Sequence, residues 1–364
     1  VLYARCNEKT EYKTLEGHYV KELPFSSVND ARQFIDEYKY VDNFKIYGND
    51  RFLYQYISSK FPEEQMPYDS SQLRIYTVDI ETTSENGFPN VAETSEEILC
   101  LSVKDFTTKK IITWGTREFT PKDTEYRLFW KEEDMLKDFL AWWVENTPDI
   151  VTGWNVKLFD IPYICRRIER VLSTKHQKSL SPWNKVFDKE VEIRGRNHIY
   201  YEIIGLSVLD YLDLYQKFTY KAQESYRLDY IAQQELGQKK LDHSEYDTFK
   251  EFYTNNWQKF VEYNIVDVEL VDQLEDKMKL IELALTMAYD AKVNYNDVYS
   301  QVRTWDSIIY NFLKTKGIVI PPIERSDKNT QYAGAYVKEP KPGLYEWVVN
   351  FDLNSLYPHL IMQY

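Results

Sequence analysis

The stretch 75–82 alternates two kinds of position. Ile75, Thr77, Asp79 and Glu81 fall on one set, and Tyr76, Val78 and Ile80 on the other. A strand with a period of two buries the second set and lays Asp79 and Glu81 side by side on the opposite face. Like charges on neighbouring same-face positions repel each other, so this pair needs a reason. Before it, residues 1–73 mix short strand-like and helical pieces: "SSVNDARQFIDEYKYV" reads as a capped amphipathic helix, and the polar, proline-bearing "PEEQMPYDSSQ" as a linker. After it, "EILCLSVKDF" and "IITWG" flank "TTKK" as a hairpin that continues the sheet. "EEDMLKDFLAWWVEN" places Met135, Leu136, Phe139, Leu140, Trp143 and Val144 on one helical face.

Further on, "DIVTGWN" is a short strand that breaks at Gly153, and "LFDIPYICRRIERVL" resumes helix, with Pro162 tolerable in its first turn. "VEIRGRNHIYYEI" reads as a hairpin with a charged tip, and "LSVLDYLDLY" as another strand. A long helix is predicted over about 256–285, with "FVEYNIVDVELVDQL" at its centre. The order is mixed α/β, without an internal repeat or a low-complexity tract.

Length and composition narrow the picture. A chain of 364 residues is long for one core, so two or three domains are expected. Hydrophobic residues at 43% and charged residues at 28% are ordinary for a soluble globular protein. No apolar run approaches the ~18 residues of a membrane helix, and the N-terminus lacks a signal-peptide pattern. Cys6, Cys100 and Cys165 are too scattered for a disulfide framework or a zinc site, and fit a reducing, cytosolic setting. The start at Val1 and the apolar ending "HLIMQY" read as a piece of something longer.

A net charge of −13 argues against a nucleic-acid binder, whose affinity rests on Lys and Arg. Between Tyr163 and His198, however, Arg166, Arg167, Arg170, Lys175, Lys178, Lys185, Lys189, Arg194 and Arg196 outnumber Glu169, Asp188, Glu190 and Glu192. That stretch is either a local nucleic-acid footprint or a solvated surface segment.

Four acids stand out by context. Asp79 and Glu81 share a strand face, Asp160 sits at a strand-to-helix junction, and Asp267 lies in an apolar helical stretch one i,i+4 step after Tyr263. Carboxylates packed among apolar residues neutralise unless something compensates, and divalent cations are the usual compensation. Hard oxygen ligands suit magnesium or manganese, and no His/Cys cluster is nearby for zinc. Two such ions roughly 3.5–4 Å apart would activate a water and stabilise a leaving oxygen in phosphodiester cleavage. Each acid also has an ordinary reading: Asp160 as a helix N-terminal acid, Asp267 on a solvated face, Tyr263 as core. The ordered set favours the metal site.

"VDIETT", "TGWNVKLFDIPYI" and "YNIVDVELV" resemble, in order and at suitable separation, the three exonuclease motifs of family B DNA polymerases. "LSVLDYLDLYQKF" and "TWDSIIYNFL" are similar in particular to the replicative polymerases of T-even-type phages, and "YAGAYVKEPKPG" and "FDLNSLYPHLI" to the family's connector and first palm motif. The resemblance implies an α/β fold: a ribonuclease-H-like 3′→5′ exonuclease domain with a mixed sheet at 74–279. It implies a discontinuous α+β N-terminal domain at 1–73 and 280–323, and the start of a palm at 324–364. Asp79, Glu81, Asp160 and Asp267 would be the metal carboxylates for two Mg2+ or Mn2+ ions, and Tyr263 would orient the attacking water. Lys240 would contact the scissile phosphate, a role Lys239 could also fill.

By the same resemblance the hairpin at about 190–203, with Arg194 and Arg196, would help peel a primer end from its template. Asn155 and Phe159 would line the single-strand channel, where stacking is sequence-tolerant; packing and turn chemistry are their alternative. Asp352 matches the first metal carboxylate of the polymerase site and Tyr357 the residue that excludes a ribose 2′-OH, while His359 departs from the family's usual Ser. The second palm carboxylate, fingers and thumb fall outside the matched motifs, so this chain alone is not expected to polymerise.

The expected partner is DNA, as a single-stranded 3′ end or a primer-template, with RNA a candidate for the N-terminal domain. A monomer without membrane attachment, in the cytoplasm of an infected bacterial host, is the implied setting. Two other classes of function compete with a working nuclease: an inactive RNA- or DNA-binding module, and one half of a split polymerase that needs a second chain.

Overall fold

β1 (Leu2–Arg5), β2 (Tyr12–Thr14) and β3 (Tyr19–Leu23) open the chain, followed by α1 (Val28–Tyr38), β4 (Ile46–Tyr47) and α2 (Phe52–Lys60). α1 begins where expected, with the Ser27 hydroxyl accepting the Asp30 N–H at 3.1 Å. Its apolar face, with Ala31, Phe34 and Ile35, packs on Leu2 and Ile46 of the sheet. The computed structural model describes residues 1–62, 69–85, 87–193, 195–238, 241, 245–321, 334 and 336–363, without the Arg196 side chain. It divides into a unit Val1–Pro322 and a unit Ile323–Tyr364.

Within the first unit a second sheet is built from β5 (Ile75–Thr82), β6 (Ile98–Asp105), β7 (Ile111–Gly115) and β8 (Glu125–Leu128). α3 (Glu132–Glu145), β9 (Ile150–Thr152), α4 (Asp160–Val171), α5 (Thr174–Lys178), a long ribbon of β10 (Val186–Ile193) and β11 (Arg196–Ile203), and β12 (Ser207–Val208) follow. The strand order is β12-β9-β5-β6-β7-β8. β5–β6 and β6–β7 pair antiparallel, whereas β12–β9, β9–β5 and β7–β8 pair parallel. The fold is therefore mixed α/β with a mixed sheet. Tyr76, Val78 and Ile80 form one core with Met135, Phe139 and Trp143 of α3 and Ile161 and Ile164 of α4. Of the face expected from α3, Val144 alone is exposed.

The rest of the unit is helical: α6 (Tyr211–Phe218), α7 (Leu228–Leu236), α8 (Phe249–Asn255), α9 (Trp257–Met278), α10 (Leu280–Ala291) and α11 (Gln301–Thr315). β13 (Ile318–Val319) then pairs parallel with β2, closing a sheet of order β13-β2-β3-β1-β4. Two expectations need correction. "LSVLDYLDLY" is a strand only at Ser207–Val208; the Asp210 carboxylate accepts the Leu212 N–H and starts α6, which buries Tyr211, Leu214 and Tyr215 with helical spacing. The helix expected over 256–285 is two helices, α9 and α10, broken at left-handed Lys279. There the buried Glu275 carboxylate accepts the N–H groups of Ile281 at 2.9 Å and Glu282 at 3.2 Å, capping α10.

α11 turns Thr304 and Ser307 inward and leaves Val302, Trp305, Ile309 and Phe312 exposed. The unit Ile323–Tyr364 contains α12 (Leu356–Gln363), preceded by left-handed Ser355. Among the described residues no helix is long and apolar enough to cross a membrane.

Candidate active site

β5 supplies the first two acids. Ile75 and Thr77 of their face are buried, so the face does not open to solvent: α9 lies over β5 and β6 and leaves only Asp79 and Glu81 half-exposed. The strand ends in a register irregularity between Glu81 and Thr82, where its pairing with β6 shifts. From α9, Asp267 comes down on the pair. Asp79, Glu81 and Asp267 each bring a carboxylate oxygen within 4.8 Å of the others. Repulsion between the β5 acids is thus compounded by a third, buried acid, an arrangement that folding alone does not favour.

Asp160 joins from α4, whose Ile161 and Ile164 pack with Tyr76, Val78 and Ile80. β9 pairs with β5 only as far as Thr77↔Thr152, and the ladder stops there, with Gly153 still close against Val78. The N–H of Ile80, between the two strand acids, is taken instead by Asp160 Oδ1 at 3.1 Å. Asp160 is 3% exposed at the first residue of α4. Burial pushes its carboxyl up to about 7, with the charges of Asp210 and Asp267 adding to the rise and the N–H groups of Ile80 and its own backbone opposing it.

Asn264 and Asp210 escaped the sequence reading. Asn264, fully buried on α9 one turn before Asp267, donates its amide to Asp79 Oδ2 at 2.6 Å. Its own Oδ1 is buried with no hydrogen-bond partner among the described residues. A polar side chain inside the apolar run "VEYNIVDVEL" was the available signal. Asp210 holds the turn before Asp160, accepting the N–H groups of Asn155 and Lys157. Its signal was an acid placed just before the helical spacing of Tyr211, Leu214 and Tyr215.

The other expected residues fall as follows. Tyr263 is half-buried on α9, its ring edge-on to Phe252 at 6.0 Å. Phe159 lies between Phe88 at 5.4 Å and Tyr163 at 5.7 Å. Asn155 occupies the left-handed region at φ 65°, where Asn is tolerated, and its carbonyl accepts the Leu158 and Phe159 N–H groups. Lys240, Arg194 and the Arg196 side chain lie outside the described residues. Asp352 and Tyr357 are exposed in the unit Ile323–Tyr364.

Part of the basic stretch has structural work. Arg167 is buried against Glu132 at 2.6 Å and also donates to the Thr94 carbonyl. Arg166 and Arg170 donate to the carbonyls of Ala92 and Glu93. These three pin the segment before β6 to α4, while Lys175, Lys178 and Lys185 remain exposed.

The donor set suits a hard divalent cation. It is all oxygen and multiply negative, and three of its members are already within reach of one ion.

The chain is similar to known proteins along its length. The family described as "DNA polymerase family B, exonuclease domain" matches residues 45–231, and "DNA polymerase family B" matches residues 298–364. The DNA-directed DNA polymerase of Escherichia phage RB69 is 35% identical over 392 residues, and that of Enterobacteria phage T4 31% identical over 389. Each of these covers 100% of the chain, which spans 43% of the relative's length. DNA polymerase II of Escherichia coli is 23% identical over 298 residues, covering 79% of the chain and 36% of its own length.

Proposed function

The chain belongs to DNA polymerase family B, and from that premise we propose that it carries a ribonuclease-H-like 3′→5′ proofreading exonuclease of a replicative, phage-type polymerase. The reaction is hydrolysis of the terminal phosphodiester at a DNA 3′ end, releasing a nucleoside 5′-monophosphate. The observation that carries this reading is the convergence of Asp79, Glu81 and Asp267 within 4.8 Å, with Asp160 bonded to the backbone between the first two.

In this reading the four carboxylates hold two Mg2+ or Mn2+ ions. When bound, such ions supply Lewis-acid activation of water and neutralise charge on the leaving 3′ oxygen. The protein's part is placement. Asn264 holds the Asp79 carboxylate through Oδ2. The Ile80 N–H fixes Asp160. Tyr263, one helical turn before Asp267, would orient the attacking water. Phe159 and the exposed Phe88 give the site apolar ring faces on which a terminal base could stack. Lys240, Arg194 and Arg196 would contact DNA phosphates, and Asn155 would shape the channel by its turn.

Asp352 and Tyr357 would serve a polymerase site, as metal carboxylate and as the residue that excludes a 2′-OH. The exposed apolar residues Val302, Trp305, Ile309 and Phe312 lie inside the matched segment 298–364 and favour work beside the rest of a polymerase domain.

The test is digestion of 3′-labelled single-stranded DNA with Mg2+. Wild-type protein should release labelled mononucleotide. EDTA or Asp79→Ala should abolish the release. Equal turnover by the variant would refute the assignment.

A further inference from the structure

Asp210 lies outside the acidic cluster, yet its carboxylate is 2% exposed and fully committed. Oδ1 accepts the Leu212 N–H at 2.9 Å, which is an ordinary helix cap. The other bonds are not needed for that cap. Oδ1 also accepts the Asn155 N–H at 3.1 Å, and Oδ2 accepts the Lys157 N–H at 2.9 Å. Both donors belong to the turn between β9 and α4, distant in sequence. Neighbouring bonds run between the same two segments: Leu209 N–H to the Val151 carbonyl at 2.8 Å, and Tyr211 N–H to the Gly153 carbonyl at 2.9 Å.

The clamped turn is under constraint elsewhere too. Asn155 sits in the left-handed region, and a Cβ on Gly153 would stand 2.5 Å from the Val78 carbonyl. The turn is therefore pressed against β5 just before the strand acids. Its far end delivers Phe159 and Asp160. Val156 O accepts the Ile161 N–H at 3.0 Å, so movement of the turn carries the start of α4 with it.

We propose that Asp210 is a positioning residue for the nuclease: by holding the Asn155–Lys157 turn through two backbone N–H groups, it sets where the Asp160 carboxylate stands beside Ile80. This rests on the reading of the acidic cluster as an exonuclease site. A buried carboxyl that receives three N–H groups is a strong anchor: Oδ2 has the Lys157 N–H as its hydrogen bond to the turn, and losing it leaves a buried oxygen without that partner.

Two substitutions separate the cap from the clamp. Asp210→Ser keeps an oxygen able to cap α6 but is too short to reach the turn. Asp210→Asn keeps the shape, but turns an amide N–H toward the Lys157 N–H if its oxygen stays with Asn155 and Leu212. Both are made in the full 364-residue chain and compared with wild type by amide hydrogen exchange, Mn2+ titration and single-stranded DNA digestion. In Asp210→Ser, exchange should accelerate at Asn155 and Lys157 but not at Leu212. One of two Mn2+ sites should weaken, and kcat should fall about 100-fold, the scale of a 1 Å misplacement, with KM for DNA little changed. In Asp210→Asn, exchange should accelerate at Lys157 alone, with the same direction in kcat. If Asp210→Ser does not fold, Asp210→Asn decides.

Accelerated exchange at the turn with unchanged Mn2+ binding and kcat would overturn the positioning role. Unchanged exchange at the turn would overturn the clamp itself. A wild-type protein that binds Mn2+ but cleaves no DNA would sink the nuclease reading instead, and the exchange and Mn2+ measurements would still judge Asp210.

Discussion

Replacing Asn264 by alanine removes the amide N–H that meets Asp79 Oδ2 at 2.6 Å. A hydrogen bond to a charged group contributes about 1.5–3 kcal/mol, more than one between neutral partners. At about 1.36 kcal/mol per tenfold, that is on the order of 10- to 150-fold in the affinity of the acidic cluster for a divalent cation. The same substitution removes Asn264 Oδ1, which is buried without a partner among the described residues. Relieving that acceptor returns about 1–3 kcal/mol to the folded state. The two effects therefore separate: loss and gain largely offset in metal-free stability, leaving a shift of less than about 2 kcal/mol, while cation affinity drops by one to two decades. Calorimetric titration with Mn2+, beside urea unfolding in EDTA, reads both. Unchanged Mn2+ affinity would refute the idea that Asn264 holds Asp79 in place. Equal losses in stability and affinity would show a general packing defect instead.

Two further outcomes are expected. Burial, and then the charge of Asp213, raise the Asp210 carboxyl from 3.8 to about 7. A folded-state value above the unfolded one means that the folded protein holds the extra proton between them, so this group's contribution is largest below about pH 4 and is lost as pH rises through about 7. Melting temperature in EDTA should therefore fall across that window, and less steeply in Asp210→Asn; parallel slopes would contradict it. Arg167→Met breaks a buried ion pair with Glu132 and should cost about 3–5 kcal/mol in urea unfolding, while kcat per folded molecule is retained. Wild-type stability in that variant would show that the pair contributes nothing net.

How far the chain could be read in advance depended on whether neighbours in sequence decided the structure. The alternation of Tyr76, Val78 and Ile80 marked both the strand and its core face, because the pleat alone fixes which side a residue takes. The polar "SSVND" ahead of the helical spacing marked α1 as a capped helix for an equally local reason. "LSVLDYLDLY" defeated the same logic: its apolar residues satisfy two periods at once, and the choice was made by the Asp210 carboxylate and by burial against other helices. The break at Lys279 was hidden because Glu275, four residues earlier, caps the next helix with its side chain. At the site, Asp79, Glu81 and Asp267 were visible as acids in apolar company. That the face of Asp79 and Glu81 is roofed by α9 depends on tertiary packing, and so does the use of the Ile80 N–H by Asp160. The basic stretch was legible as charge, but Arg167 is spent on Glu132, which no local pattern announces.

Whether these carboxylates share a pair of cations is decided by a crystal of the protein grown or soaked with MnCl2 and measured at the manganese absorption edge. Two anomalous peaks roughly 3.5–4 Å apart, ligated among Asp79, Glu81, Asp160 and Asp267, are expected. A well-ordered site at saturating Mn2+ with no peak there, or with peaks bound only elsewhere, would contradict a shared pair.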